Sequence, residues 1–299
     1  MDADRQLPRG DEIFLDHIGH FVREPLAAAA ALARAGFAPT PVSVQADAAG
    51  QPTGTGNVTA MFARGYVEVL FKTADTPIGR EFDASLAHHS GVHLAAFSVA
   101  DAERAHARLA GAGFRMRPLV NFSRPVTTES GAGIAAFTVV RVERGGMAEG
   151  RIQMLTHHTE DMVWQKRWLA HPNGAVGLLD ALIAVADVDE AAERFARFTG
   201  RKPASNRAGK TLALDRGAMQ LVNAKYFATL LPEVAMPGGP FIGAYGIAVK
   251  TLAKAEELLR RGGASTRRAG RALAAKFPDE LGVGAWLFVE QAADLPWRG

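Results

Sequence analysis

Cysteine is absent from the 299 residues. Its absence removes disulfide frameworks, thiolate metal sites and cysteine nucleophiles together, and it fits a reducing compartment. No run of about 18 apolar residues occurs, so no membrane-spanning helix is expected. A large excess of either charge is missing too, with 34 Lys and Arg against 31 Asp and Glu, a net charge of +3. The small basic cluster RRGGASTRRAGR at 260–271 reads as solvated surface and not as a nucleic-acid patch. The N-terminal MDADRQLPRGDE is polar, unlike a secretory signal, so a cytoplasmic protein is expected. What is present, 48% hydrophobic and 22% charged residues, is the composition of a globular chain long enough for one large or two medium domains.

The chain repeats itself. FLDHIGHFVREPLAAAAALARAGF (14–37), GVHLAAFSVADAERAHARLAGAGF (91–114), LLDALIAVADVDEAAERFARFTGR (178–201) and GAYGIAVKTLAKAEELLRRGGA (243–264) share one pattern. Each is an apolar strand, a helix start, about a dozen Ala-, Arg-, Glu- and Leu-rich residues and a glycine stop. Pro25 suits a first helical turn, and Asp101, Asp187 or Asp189 and Thr251 suit N-caps. Gly36, Gly111 or Gly113, Gly200 and Gly262 suit helix ends. Short strand-like runs follow each helix, among them NVTAMFA, YVEVLF, IAAFTVVRV, GRIQMLTH, AMQLVNA and AWLFVEQ. Each unit therefore reads β-α-β-β-β, and none could bury its sheet alone.

Four such units, paired two by two, resemble the vicinal oxygen chelate superfamily, which includes glyoxalase I, methylmalonyl-CoA epimerase, extradiol dioxygenases and bleomycin-resistance proteins. LDHIGHFV, GNVTAMFARGYVEVL and LTHHTEDMVWQKRWLAHPNGA look in particular like its glyoxalase-like branch. The resemblance implies an α+β fold of four βαβββ modules paired into two half-barrel domains. The expected boundaries are a tail at 1–12, a first domain at 13–175 with modules 13–78 and 90–158, and a second, degenerate domain at 176–299.

In that superfamily a divalent ion (Zn, Ni, Mn or Fe) sits in a cup between paired modules, held from their first and last strands. Carried over residue by residue, the resemblance implies His17, Glu68, His93 and Gln153 as metal positions, with His93 matched to His17 and Gln153 to Glu68. The two-residue strand period puts Leu15, His17, Gly19 and Phe21 on one face and Tyr66, Glu68 and Leu70 on another. Glu68, between two valines, would cost several kcal/mol to bury without a cation or hydrogen bonds. Gln153 stands where the glyoxalase and epimerase carry a carboxylate, and an amide cannot serve as a base. Glu68 and His157 are thus the proton-moving candidates, and Asn57, Arg64 and Trp164 the candidates for contacting substrate. Trp164, Trp168 and His171 either close the cup or pack the connection between halves, while His20, His88 and His89 read as structural or surface residues. In the later units Asp180, Gln220, about Gly243 and Val289 or Glu290 fall at the matching positions, so the second pair is expected to keep the scaffold alone.

The resemblance implies a metal-dependent lyase or isomerase acting on a small oxygenated metabolite through Lewis-acid stabilisation of an enolate-like intermediate. The alternatives are a ring-cleaving dioxygenase built on a His17–His93–Glu68 triad and a non-catalytic small-molecule binder. The expected partners are a small-molecule substrate and, through the second pair, a second copy of the chain as a homodimer; neither nucleic acid nor a membrane is expected.

Overall fold

The computed structural model describes residues 5–47 and 50–298. The first module comprises β1 (Ile13–Phe21), α1 (Pro25–Arg34), β2 (Ser43–Asp47), β3 (Pro52–Met61) and β4 (Tyr66–Lys72). A helix absent from the sequence reading, α2 (Pro77–Leu86), leads to the second module: β5 (Gly91–Val99), α3 (Ala102–Gly111), β6 (Val120–Thr128), β7 (Gly131–Arg141) and β8 (Arg151–His157). The short helix α4 (Glu160–Val163) crosses to the third module: β9 (Ala175–Val185), α5 (Val188–Thr199), β10 (Pro203–Asn206), β11 (Gly209–Ala213) and β12 (Ala218–Asn223). After α6 (Ala224–Leu230) comes the fourth: β13 (Phe241–Val249), α7 (Leu252–Arg261), β14 (Thr266–Ala269), β15 (Ala272–Lys276) and β16 (Ala285–Val289). All four βαβββ units are present.

Local chemistry sets the helix boundaries. Asp101 accepts from the Arg104 amide and Asp187 from those of Asp189 and Glu190, each satisfying free N–H groups of a first turn. In α2, Thr76 accepts from Gly79 just ahead of Pro77.

Within each pair the first strands run antiparallel side by side, β1 with β5 and β9 with β13, and each module's last strand lies parallel to its first. The N-terminal sheet goes one step beyond the expected half-open cup. β2 pairs with β6 through Ala46↔Ser123 and Asp47↔Phe122, closing an eight-stranded barrel in the order β1-β4-β3-β2-β6-β7-β8-β5. The C-terminal sheet stays open, from β10 at one edge to β14 at the other.

Strand alternation then sorts side chains. Ile18, Val58, Ala60, Val67 and Val69 point out of the barrel and join Leu32 of α1, Leu109 of α3 and Leu178, Ile183, Tyr245 and Trp286 of the second sheet in one core. Asn57, Thr59 and Glu68 point inward and are buried. The hollow of the second sheet is filled by its own side chains, Leu182, Ala244, Ala274 and Leu287 with Phe227 of α6 and Trp297 near the C-terminus. There Asp180 accepts from Trp297 Nε1 at 2.8 Å and from the Arg298 guanidinium.

The two sheets are stitched together. Leu178 N donates to Arg64 O at 2.8 Å and Val283 N to Ser90 O at 2.8 Å. His20 completes the joint, with Nδ1 2.9 Å from Leu281 O and Nε2 2.9 Å from the Tyr245 hydroxyl, which accepts from Trp286 Nε1. It is a structural histidine, as expected. Burial pushes its pKa down from 6.5 to about 4. Below pH 6.5 the unfolded chain takes up a proton that folded His20 refuses, so stability is lost as pH falls from about 6.5 to 4. The expected loss from this one group is at most about 3 kcal/mol. Denaturant titrations across that range should show the decline, and His20→Gln should remove about one proton from the slope; an unchanged slope in the variant would contradict the assignment.

Candidate active site

The barrel interior is built around a bulge. The β1–β5 register slips between Leu15 and His17, so Leu15 turns outward into the core and Asp16 is buried completely. Asp16 Oδ1 lies 2.7 Å from His17 Nδ1, and both Asp16 oxygens lie within 3.2 Å of His157 Nε2. Burial by itself would raise the Asp16 carboxyl. The charge and hydrogen bonds of His157 and His17 outweigh it and hold the group below the usual carboxylate range. Tyr66 stacks on His17, ring centroids 4.4 Å apart. Burial, and then the Asp16 and Glu68 carboxylates, push its hydroxyl pKa up, so it stays protonated.

With Nδ1–H given to Asp16, His17 presents Nε2 to Glu68 Oε2 at 3.4 Å. An ionised carboxylate and a bare imidazole nitrogen are both acceptors. The other Glu68 oxygen accepts from Asn57 Nδ2 at 2.6 Å. Of the hydrogen bonds that burial of Glu68 calls for, Asn57 supplies one, and the His17 ring stands beside the other oxygen. His17 and Glu68 face a chamber of about 40 Å³ together with Gln45, Tyr66, Arg141, Arg151 and Gln153, walled by Leu70, Leu94, Phe122, Phe137, Val139 and Leu155.

His93 is elsewhere. Gly19 pairs with Glu68 and Ala96 with Gln153, so Gln153 does match Glu68 by pseudo-symmetry, and Gly19 matches Ala96. Two residues back, His17 matches Leu94. His93 is displaced by one position and corresponds to Asp16, at the second bulge of the β1–β5 ladder, between Gly19 and His20. Being a bulge residue, it faces the other end of the barrel, as Asp16 faces its own. His93 points away from the chamber, its Nε2 2.8 Å from His89 O, and burial lowers its pKa. Its match to His17 is corrected on this ground.

Of the remaining expected residues, Asn57 and Gln153 reach the interior, and His157 binds Asp16. Trp164 covers that end of the barrel, 5.9 Å from Tyr66 and 4.8 Å from His157 between ring centroids. Arg64 is corrected: its backbone pairs with Gly177 and Leu178 at the joint between sheets, and its side chain lies against Gly177. His171 is structural, spanning Ala38 N and Met61 O. The sequence reading overlooked Asp16, Arg141 and Arg151. The signals were a carboxylate in the apolar run FLDHIGHF, and arginines in ladder register with Gln153 at 141 and two residues before it at 151. Asn57 Oδ1, Arg141 Nε, His157 Nδ1 and Trp164 Nε1 are buried without a partner among the described residues, four polar atoms lying in and about the barrel interior.

The residues do not fit the four-donor metal centre that the resemblance implies. His17 Nε2 and Glu68 converge and Gln153 offers only a neutral amide, while Leu94 stands where His93 was expected. Two guanidinium groups, Arg141 and Arg151, line the same chamber, where their charge opposes a cation. Among the described residues no group of three or more His, Asp or Glu side chains is arranged to hold an ion. For the same reason the His17–His93–Glu68 triad is not assembled.

A barrel of paired βαβββ modules with its polar residues turned inward defines a class, and solved structures share it. A hypothetical protein from Staphylococcus aureus superposes with TM-score 0.63 at 10% identity, covering 92% of this chain and 98% of that one. A mutant of 4-hydroxymandelate synthase from Streptomyces coelicolor gives 0.55 at 12% identity, covering 96% of each chain. The Mn(II)-bound glyoxalase from Novosphingobium aromaticivorans gives 0.54 at 15% identity, covering 95% of this chain and 84% of that one. No curated protein matches significantly. The chain belongs to the glyoxalase-like domain family of the vicinal oxygen chelate superfamily, the family model matching residues 15–199.

Asp16→Ala should cost roughly 3 kcal/mol or more in urea unfolding, because it strands two buried imidazoles. A loss below about 1 kcal/mol, the range of an exposed pair, would contradict the central role given to this carboxylate. Zn²⁺ or Mn²⁺ added to metal-free protein is expected to leave the melting temperature within experimental error. A saturable rise abolished by His17→Asn would show that the donor set is sufficient after all.

Proposed function

We propose that the protein is a glyoxalase-like lyase or isomerase whose proton-moving groups are His17 and Glu68, acting on a small oxygenated metabolite. One observation carries this reading: His17 Nε2 and Glu68 Oε2 face each other at 3.4 Å on the chamber wall, each held from behind, by Asp16 and by Asn57.

A substrate carbonyl reaching the chamber would present its α-carbon to this pair. Glu68 takes the C–H proton, and the electron pair moves to the carbonyl oxygen. The enolate charge falls beside Arg151, which supplies the positive charge that a developing oxyanion needs. The His17–Glu68 couple then returns the proton to a neighbouring atom, completing an isomerisation, or the enolate expels a β-substituent, completing a lyase reaction. Asp16 keeps the His17 ring in one orientation through the cycle. Trp164 and Tyr66 cover this end of the barrel, so the developing charge is met by the protein's own groups. The fold relatives support an enzyme by their printed activities, glyoxalase and 4-hydroxymandelate synthase; at these identities they support no particular substrate.

Proton abstraction has a direct readout, the washing of solvent deuterium into a substrate C–H. A panel of small 2-oxo and 2-hydroxy compounds incubated in D₂O and followed by NMR should include at least one whose exchange the protein catalyses. Glu68→Gln and His17→Asn should each slow that exchange by about 10²- to 10⁴-fold, the usual contribution of a positioned acid or base. Exchange surviving in both variants would refute the assignment, and binding without exchange across the panel would favour the non-catalytic reading.

A further inference from the structure

The barrel end opposite Trp164 carries a cavity of about 440 Å³. It lies between α2, the start of β8, the end of β7 with the loop that follows, and residues 237–242 of the second half. Four guanidinium groups line it: Arg117, Arg141, Arg144 and Arg151. A single carboxylate answers most of them. Glu81 of α2 accepts from Arg117 Nη1 and Arg151 Nη2, each at 2.9 Å, with Arg144 at 3.9 Å. Of the other acids at the rim, Glu149 is taken by Arg194 at 2.6 Å and Glu143 is exposed to solvent. The nearby His89 and His93 add no positive charge at neutral pH, since burial lowers both pKa values.

Arg141 is left over. It is 7% exposed, its Nε has no partner, and no described carboxylate forms an ion pair with it. The ring of Phe122 lies 5.9 Å from its guanidinium carbon, measured to the centroid. Burial first, then Arg151 and Arg117, pull its pKa down to about 10. Glu81, already shared by Arg117 and Arg151, acts on it only from beyond contact distance; a buried guanidinium with no carboxylate in contact is costly, and this one lines both the outer cavity and the inner chamber that holds His17 and Glu68.

We propose that Arg141, flanked by Arg151, is an oxyanion seat, and that the substrate is an anion whose carboxylate or phosphate group enters through the arginine-lined mouth and docks there, aiming its reactive carbon at Glu68. A planar guanidinium fork matches the paired oxygens of either group. This assignment names a substrate class for the site of the preceding section and rests on that reading only for the word substrate; anion binding itself does not.

The test uses the full chain and two probes, inorganic phosphate and pyruvate, with chloride at matched ionic strength as the control. The wild type should gain thermal stability with at least one probe and not with chloride. Pyruvate alone assigns a carboxylate, and phosphate alone assigns a phosphate. Arg141→Met keeps the bulk and removes the charge. In anion-free buffer it should melt no lower than the wild type, because a buried charge with no carboxylate in contact is gone, and its probe Kd should rise at least 10-fold. Arg141→Lys, which keeps the charge without the fork, should fall between. No shift with either probe, or an Arg141→Met variant with unchanged Kd, overturns the proposal. Exchange activity separates the two readings. Anion binding in a His17→Asn variant without exchange is expected if both hold. Wild-type exchange without anion binding sinks the oxyanion seat alone, and anion binding without wild-type exchange sinks the proton-transfer reading alone.

Discussion

A carboxylate with no solvent contact governs the N-terminal half. Asp16 is fully buried inside a β-barrel, where an isolated negative charge would cost far more than folding could supply. It persists because two imidazoles close on it, that of its neighbour His17 and that of His157, 141 residues further along the chain. That requirement fixes much else. It anchors β1 to the end of β8, it sets which His17 nitrogen faces the chamber, and it brings Trp164 over His157 as a cover.

The two modules of the barrel are related by pseudo-symmetry, yet chemically they have diverged. Each first strand carries a bulge at the same place. In the first module the bulge residue is Asp16, facing an end sealed by aromatic rings; in the second it is His93, facing an end left open and lined with arginine. Likewise Tyr66 corresponds to Arg151 and Glu68 to Gln153 across the pseudo-two-fold axis. One scaffold position thus supplies a ring that stacks on His17 and, in its counterpart, a guanidinium at the mouth. The second sheet shows another outcome of the same architecture. There the position of His17 holds Asp180, and the chain's own Trp297 and Arg298 occupy its oxygens, so that hollow serves as scaffold.

Much of this was legible in the sequence. The recurrence of strand, helix start and glycine stop gave all four units in order, because hydrophobic period and capping chemistry are local. Strand alternation grouped the faces of His17 and Glu68, and the family resemblance implied that these two and Gln153 turn inward. What alternation could not give was the position of the bulges. A single inserted residue reverses every side chain beyond it, which is why Asp16 was overlooked and His93 was matched to His17 one residue out of place. Closure of the barrel through β2 and β6, and the arginine mouth assembled from α2, β7 and β8, were likewise out of reach. They depend on contacts between segments distant in sequence that no local pattern records.

The account stands on Asp16 fixing the His17 ring so that Nε2 meets Glu68. Long-range ¹H–¹⁵N correlation spectra of the imidazoles in selectively labelled protein test this directly. The prediction is a His17 Nδ1 that carries a proton at neutral pH, protected from exchange and lost in Asp16→Asn. A His17 ring protonated only at Nε2, with Nδ1 bare, would contradict it.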